Sequence, residues 1–101
     1  TQKILARSPD LDCLYYSSDV MSVGGYMHCL AEGLSVPEDI ALAGFNNLEI
    51  LDGMPLQLAT TDACRREIGV RAAEIILAGP DQDKPWVFER MQPKITVGGS
   101  L

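Results

Sequence analysis

An α/β fold with a parallel sheet is predicted by three features of the 101-residue sequence. A short apolar run, Cys13-Leu14-Tyr15-Tyr16, is followed by a long helical periodicity and then by a second apolar run. That second run, Ile40-Ala41-Leu42-Ala43-Gly44-Phe45, has no polar alternation, as expected of a strand covered on both faces. Both runs stop at polar clusters, Ser17-Ser18-Asp19 and Asn46-Asn47. Strand, helix and strand in that order pack as a right-handed parallel crossover. With 47% hydrophobic and 22% charged residues, the chain has the means for one modest core and one domain.

The first strand is bounded by Pro9-Asp10 before it and by the serines after it. Val20, Val23, Met27, Leu30 and Leu34 recur at spacings of three and four, with Gly24 and Ala31 in the same stripe. The spacing predicts a helix over 20–32 with that stripe buried. Ser18 or Asp19 is placed to cap it, and Gly33 before Leu34 suits a left-handed stop. Val36-Pro37-Glu38-Asp39 is loop chemistry, because proline disfavours helix in the residue before it. Residues 48–54 read as irregular or a short helical turn, ended by Gly53 and Pro55.

Leu56-Gln57-Leu58-Ala59-Thr60 alternates like a strand, and Thr61-Asp62 is a second capping signal. Residues 63–78 read as a helix with Ile68, Ala72, Ile75 and Ile76 on one face. Glu67 and Arg71 stand at pairing distance on it, and Gly79-Pro80 end it. Asp81 to Pro85 reads as an exposed turn, and Trp86–Glu89 and Lys94–Val97 as two closing strands.

Composition excludes several functions. Fourteen acidic against eight basic residues leave a net charge of −6, which repels phosphate backbones, so direct DNA contact by this segment is not expected. No apolar run approaches the roughly 18–20 residues of a membrane helix. The first seven residues are too short and mixed for a signal peptide, and the lack of an initiator Met is expected of a fragment. Cys13, Cys29 and Cys64 are an odd, scattered set, which suits reduced, buried thiols in a cytoplasm. A zinc site on His28 and Cys29 is disfavoured, since neighbours on a helix point about 100° apart. No metal or cofactor is expected, and no enzyme: the single histidine, His28, has only Glu32 at ordinary helix-surface spacing, and no phosphate-binding glycine loop is present.

The two polar clusters are the candidate site, because ligands of parallel sheets bind beyond the carboxyl ends of strands. Ser18, Asp19 and Asn46 offer the donors and acceptors that suit a polyol. An equally physical reading has Asp19 capping a helix while Asn46-Asn47 turn the chain. Arg65 at the start of the second long helix could grip an anion such as a carboxylate. The alternative at that helix start is purely structural, with Arg66 pairing to Asp62.

The succession Ser17-Ser18-Asp19-Val20-Met21-Ser22-Val23-Gly24, then Gly33 through Asn47, resembles the LacI/GalR family of bacterial transcriptional regulators. Leu58-Ala59-Thr60-Thr61, Ile68-Gly69 with Ala72-Ala73, and Ile95 through Ser100 continue the pattern. The resemblance implies a partial periplasmic-binding-protein-like (type I) domain, mainly its C-terminal lobe, over residues 1–101. By that likeness, residues up to about 56 belong to this lobe, and the second long helix packs on an N-terminal lobe outside the segment. The likeness also implies a sugar or sugar-acid effector, a homodimer through the C-terminal lobe, and operator DNA bound by a helix-turn-helix elsewhere. Ser18, Asp19, Asn46 and Arg65 are then the expected effector residues. Asn46 departs from the Asp usual in the family; with Leu48-Glu49-Ile50 it is similar to the gluconate-repressor subgroup. The dimer face is expected on the helix holding Met21 and Val23 and on residues 48–55, with Val23, Leu48, Ile50 and Leu51 as its apolar residues; the alternative for these four is plain core. A periplasmic solute-binding protein of a sugar transporter shares the fold and is the alternative.

Overall fold

The computed structural model describes residues 1–79 and 86–101, so the turn expected at 81–85 lies outside the described residues. In chain order the elements are α1 (Gln2–Arg7), β1 (Cys13–Tyr15), α2 (Asp19–Glu32), β2 (Ala41–Ala43), a 3-10 turn (Glu49–Gly53), β3 (Thr60–Asp62), α3 (Arg65–Ala78) and β4 (Lys94–Thr96). As expected, β1 and β2 pair in parallel, with Cys13 opposite Ala41, Leu14 opposite Leu42 and Tyr15 opposite Ala43. A single parallel bridge from Ala43 to Ala59 continues this sheet. The chain then runs into an antiparallel ribbon of β3 and β4, registered from Thr60–Thr96 to Asp62–Lys94.

One core forms around the parallel pair. Leu14, Tyr16, Tyr26, Cys29, Ile40, Leu42, Leu51 and Leu58 are buried together, with Leu5, Val23, Leu34 and Met54 packed against them. The ribbon carries α3 away from this body, giving an elongated molecule of 60 × 27 × 18 Å. Its radius of gyration is 18.4 Å, against about 13 Å for a compact domain of about 100 residues.

Helix α2 ends as its sequence directs. Gly33 sits at φ 72°, its N–H reaches the Cys29 and Leu30 carbonyls, and Leu34 N–H also reaches Cys29 O. Its buried face, however, matches the expected stripe only at Val23 and Leu34, which pack against the core. Asp19, Ser22, Gly25, Tyr26 and Cys29 face the sheet, whereas Val20 (55% exposed), Met27 (50%) and Leu30 (53%) face outward. Small Ser22 and Gly25 let the helix lie close to the strands, and Tyr26 and Cys29 fill the rest. The outward face is apolar too, so periodicity alone does not separate the two sides.

Other expectations are also corrected. Residues 2–7 form α1, which six mixed residues do not announce; Thr1 Oγ1 and Tyr16 OH meet at 2.7 Å beside it. The strand expected at 56–60 forms at Thr60–Asp62, because the register is set by β4 and not by alternation. Trp86–Glu89 is not a strand, having no edge to pair with among the described residues. No residue of α3 is buried, so its apolar face is uncovered in this chain. The expected Glu67–Arg71 pair is replaced by better-placed partners: Arg71 grips Glu89 at 2.6 and 2.8 Å and Glu74 at 3.0 Å, and Lys94 reaches Glu67 at 3.3 Å. Cys29 and Cys64 are buried free thiols, but Cys13 is exposed because it lies on the open face of β1.

Candidate functional site

Both strands deliver their polar clusters to the same rim. After β1, Ser18 is extended at φ −155° and occupies the cap position of α2; its backbone O accepts from Met21 and Ser22 N–H, while its hydroxyl makes no capping bond. After β2, Asp19 N–H donates to Phe45 O at 3.0 Å, which holds the start of α2 against the second cluster. Asn46 and Asn47 follow at φ 100° and 49°, left-handed backbone that asparagine tolerates better than most residues. A tight reversal results, running into the 3-10 turn.

Asp19 is the centre of this rim and is fully buried. Its Oδ2 accepts Leu48 N–H at 2.7 Å and its Oδ1 accepts the Thr60 hydroxyl at 2.6 Å. Thr60 Oγ1 in turn accepts Asn47 N–H at 3.1 Å. The Asp19 main-chain carbonyl receives Ser22 Oγ at 2.9 Å. Gly44 is required here, since a Cβ on it would collide with the Asp19 carboxylate. Three segments distant in sequence are thus joined through one carboxylate, and its burial is offset by charge-assisted hydrogen bonds.

Asn46 is fastened from the other side. Its N–H donates to Thr61 O at 2.8 Å, and Arg65 Nη2 donates to its carbonyl at 3.3 Å. The Asn46 backbone is therefore tied to the ribbon and to the first residue of α3. Ser18 and Asn46 are half-buried and Arg65 is exposed. Asp62 does not pair with Arg66 as the structural alternative had it: its Oδ1 accepts Cys64 N–H at 2.8 Å. Of the four residues singled out from sequence, Asn46 lies in the reversal, Asp19 holds it through Leu48 N–H, Arg65 touches it, and Ser18 occupies the first cap position of the adjoining helix without a side-chain capping bond.

Thr60 is the site residue that the sequence reading did not pick out. It reads as an ordinary strand residue, and its partner lies 41 positions away. A cleft of about 220 Å³ lies beside this turn, lined by Asn47, Leu51, Asp52, Met54, Gln57, Leu58, Thr60 and Thr96. It does not include Ser18, Asp19, Asn46 or Arg65. Among the described residues no three metal-ligating side chains converge, and no helix is long and apolar enough to cross a membrane.

Parallel strands, a connecting helix and a polar turn at the strands' carboxyl ends place the chain among the α/β domains that bind ligands at their strand ends. The chain belongs to the periplasmic-binding-protein-like family: the model of the periplasmic binding protein-like domain matches residues 2–101. It is 38% identical over 74 residues to the HTH-type transcriptional regulator IdnR of Escherichia coli (strain K12), covering 73% of this chain and 22% of that protein. The crystal structure of a LacI-family transcriptional regulator from Silicibacter pomeroyi superposes with a TM-score of 0.86 at 49% identity, covering 99% of this chain and 31% of that one. A LacI-family regulator from Arthrobacter sp. FB24, in complex with lactose, shares the fold with a TM-score of 0.79 at 24% identity, over 97% of this chain and 37% of that one. The chain thus spans between 22% and 37% of the length of these relatives. They are transcriptional regulators, not enzymes.

Proposed function

We propose that residues 1–101 are the C-terminal, effector-sensing part of a LacI-type transcriptional regulator, and that the effector is a sugar or sugar acid of gluconate type. The observation that carries this reading is the Asn46 reversal, held at the strand ends by Asp19 and Thr60 and touched by Arg65. In it, Ser18 and Asn46 supply neutral donors and acceptors for ligand hydroxyls, and Arg65 supplies the cation that a sugar carboxylate needs. Asp19, with both oxygens engaged inside the body, serves by fixing the turn. The lactose complex of the Arthrobacter regulator is in keeping with a polyol ligand in this fold.

A homodimer forms through the outward face of α2 and the 3-10 turn, where Met21 and Ile50 are exposed. Operator DNA is bound by a helix-turn-helix outside this segment, in the cytoplasm, and the net charge of −6 here is in keeping with that division. A ligand that prefers one arrangement of the lobes shifts the population of DNA-competent dimers by no more than that preference. The transporter-protein alternative is not favoured, since the relatives named above are regulators.

Operator binding by the full-length regulator, measured with and without gluconate and lactose, tests this reading. A shift in operator affinity with either ligand is expected. Operator binding indifferent to sugars and sugar acids alike contradicts it.

A further inference from the structure

Ser100 lies next to the end of the chain, yet it is fully buried and bonded to two other segments. Its hydroxyl donates to Leu42 O at 2.6 Å and accepts Ala59 N–H at 2.7 Å. Its own carbonyl accepts Leu42 N–H at 2.8 Å, and the neighbouring Gly99 N–H donates to Gln57 O at 2.8 Å. The Ser100 side chain, with these main-chain bonds, therefore ties residues 57–59 to β2. That tie reaches the rim, because Ala59 O accepts Gly44 N–H at 2.8 Å and Ala59 bridges Ala43, two and three residues before Asn46.

We propose that Ser100 is a positioning residue for the Asn46 turn, acting through Ala59 and Gly44. This rests on the effector reading given above. Without the hydroxyl, Ala59 N–H and Leu42 O lose that partner inside the body, and the hold on residues 57–60 weakens. Thr60, the next residue, carries the hydroxyl that holds Asp19 and Asn47 N–H, so a shift there displaces the turn. Elsewhere in the core, loss of apolar packing lowers stability without breaking this chain of bonds.

The test compares Ser100→Ala and Ser100→Thr with Ile40→Ala, a buried apolar truncation, in the full-length protein. Gluconate binding is titrated calorimetrically at a temperature where all variants are folded by circular dichroism. Ser100→Ala is expected to weaken gluconate binding by about tenfold, Ser100→Thr to restore part of it, and Ile40→Ala to leave it unchanged. Equal affinities in all variants, or equal losses in Ser100→Ala and Ile40→Ala, overturn the proposal. Should the wild type bind no gluconate, the effector reading fails for that ligand, and hydrogen exchange then decides on Ser100. Selective loss of protection at Asn46 and Leu48 in Ser100→Ala supports positioning, and unchanged protection there overturns it. If Ser100→Ala does not fold, Ser100→Thr carries the same comparison.

Discussion

The Thr60 hydroxyl donates a 2.6 Å hydrogen bond to Asp19 Oδ1 across 41 positions of sequence, and neither group meets solvent. This bond joins the first residue of α2 to the first residue of β3, and it fixes the turn between them. Thr60→Val keeps the shape of the side chain and leaves that carboxylate oxygen, and Asn47 N–H, without their partner. A loss of about 1–3 kcal/mol is expected in denaturant unfolding, with Thr60→Ser close to wild type.

Asp19 is a sharper test of the same network. In Asp19→Asn the amide oxygen still accepts Leu48 N–H, while its NH2 faces a Thr60 hydroxyl already accepting from Asn47. Asp19→Ala leaves both donors unpaired. Unfolding free energies are therefore expected to fall in the order wild type, Asn, Ala, and the effector response of the full-length protein to fall in the same order while operator binding persists. Equal stability of Asn and Ala variants contradicts the hydrogen-bond account.

Acid loosens residues 86–91 from α3. Hydrogen bonding from Arg71 holds the Glu89 carboxyl below its ordinary value. A carboxyl so lowered contributes fully above the ordinary range, about pH 4.3, and its contribution is lost as pH falls through the lower folded value. Nuclear Overhauser contacts between α3 and residues 86–91 are expected to hold at pH 6 and to be lost below pH 4. The same change should appear at neutral pH in Arg71→Gln, and high salt should weaken it, since the pair is exposed.

The proposed dimer face separates exposed from buried positions that the sequence grouped together. Met21 and Ile50 lie on the surface, whereas Leu51 is in the core. Met21→Lys and Ile50→Lys are expected to dissociate the full-length dimer in sedimentation experiments with little change in unfolding. Leu51→Ala is expected to cost about 2–5 kcal/mol of stability instead. A dimer that survives both lysine substitutions places the interface elsewhere.

Strand order and the ends of α2 were readable because they rest on local chemistry: uninterrupted apolar runs, and Gly33 at a left-handed stop. The inward face of α2 was not, because Val20 and Met27 on the outside are more apolar than Ser22 and Gly25 on the inside. The candidate turn was visible as Asn46-Asn47 breaking an apolar run. Thr60 and Ser100 were not, since nothing near them in sequence shows that their partners are Asp19 and Leu42. Arg71 likewise chose Glu89 over the helical neighbour Glu67 once β4 had taken the latter with Lys94.

Sensing of a sugar acid by the Asn46 turn and Arg65 is read out by calorimetry of the full-length protein with gluconate and glucose. Wild type is expected to prefer gluconate, with Arg65→Ala losing about tenfold or more for gluconate and little for glucose. Asn46→Asp, which adds a negative charge at the turn, is expected to reverse the preference. Unchanged gluconate affinity in both variants contradicts the account.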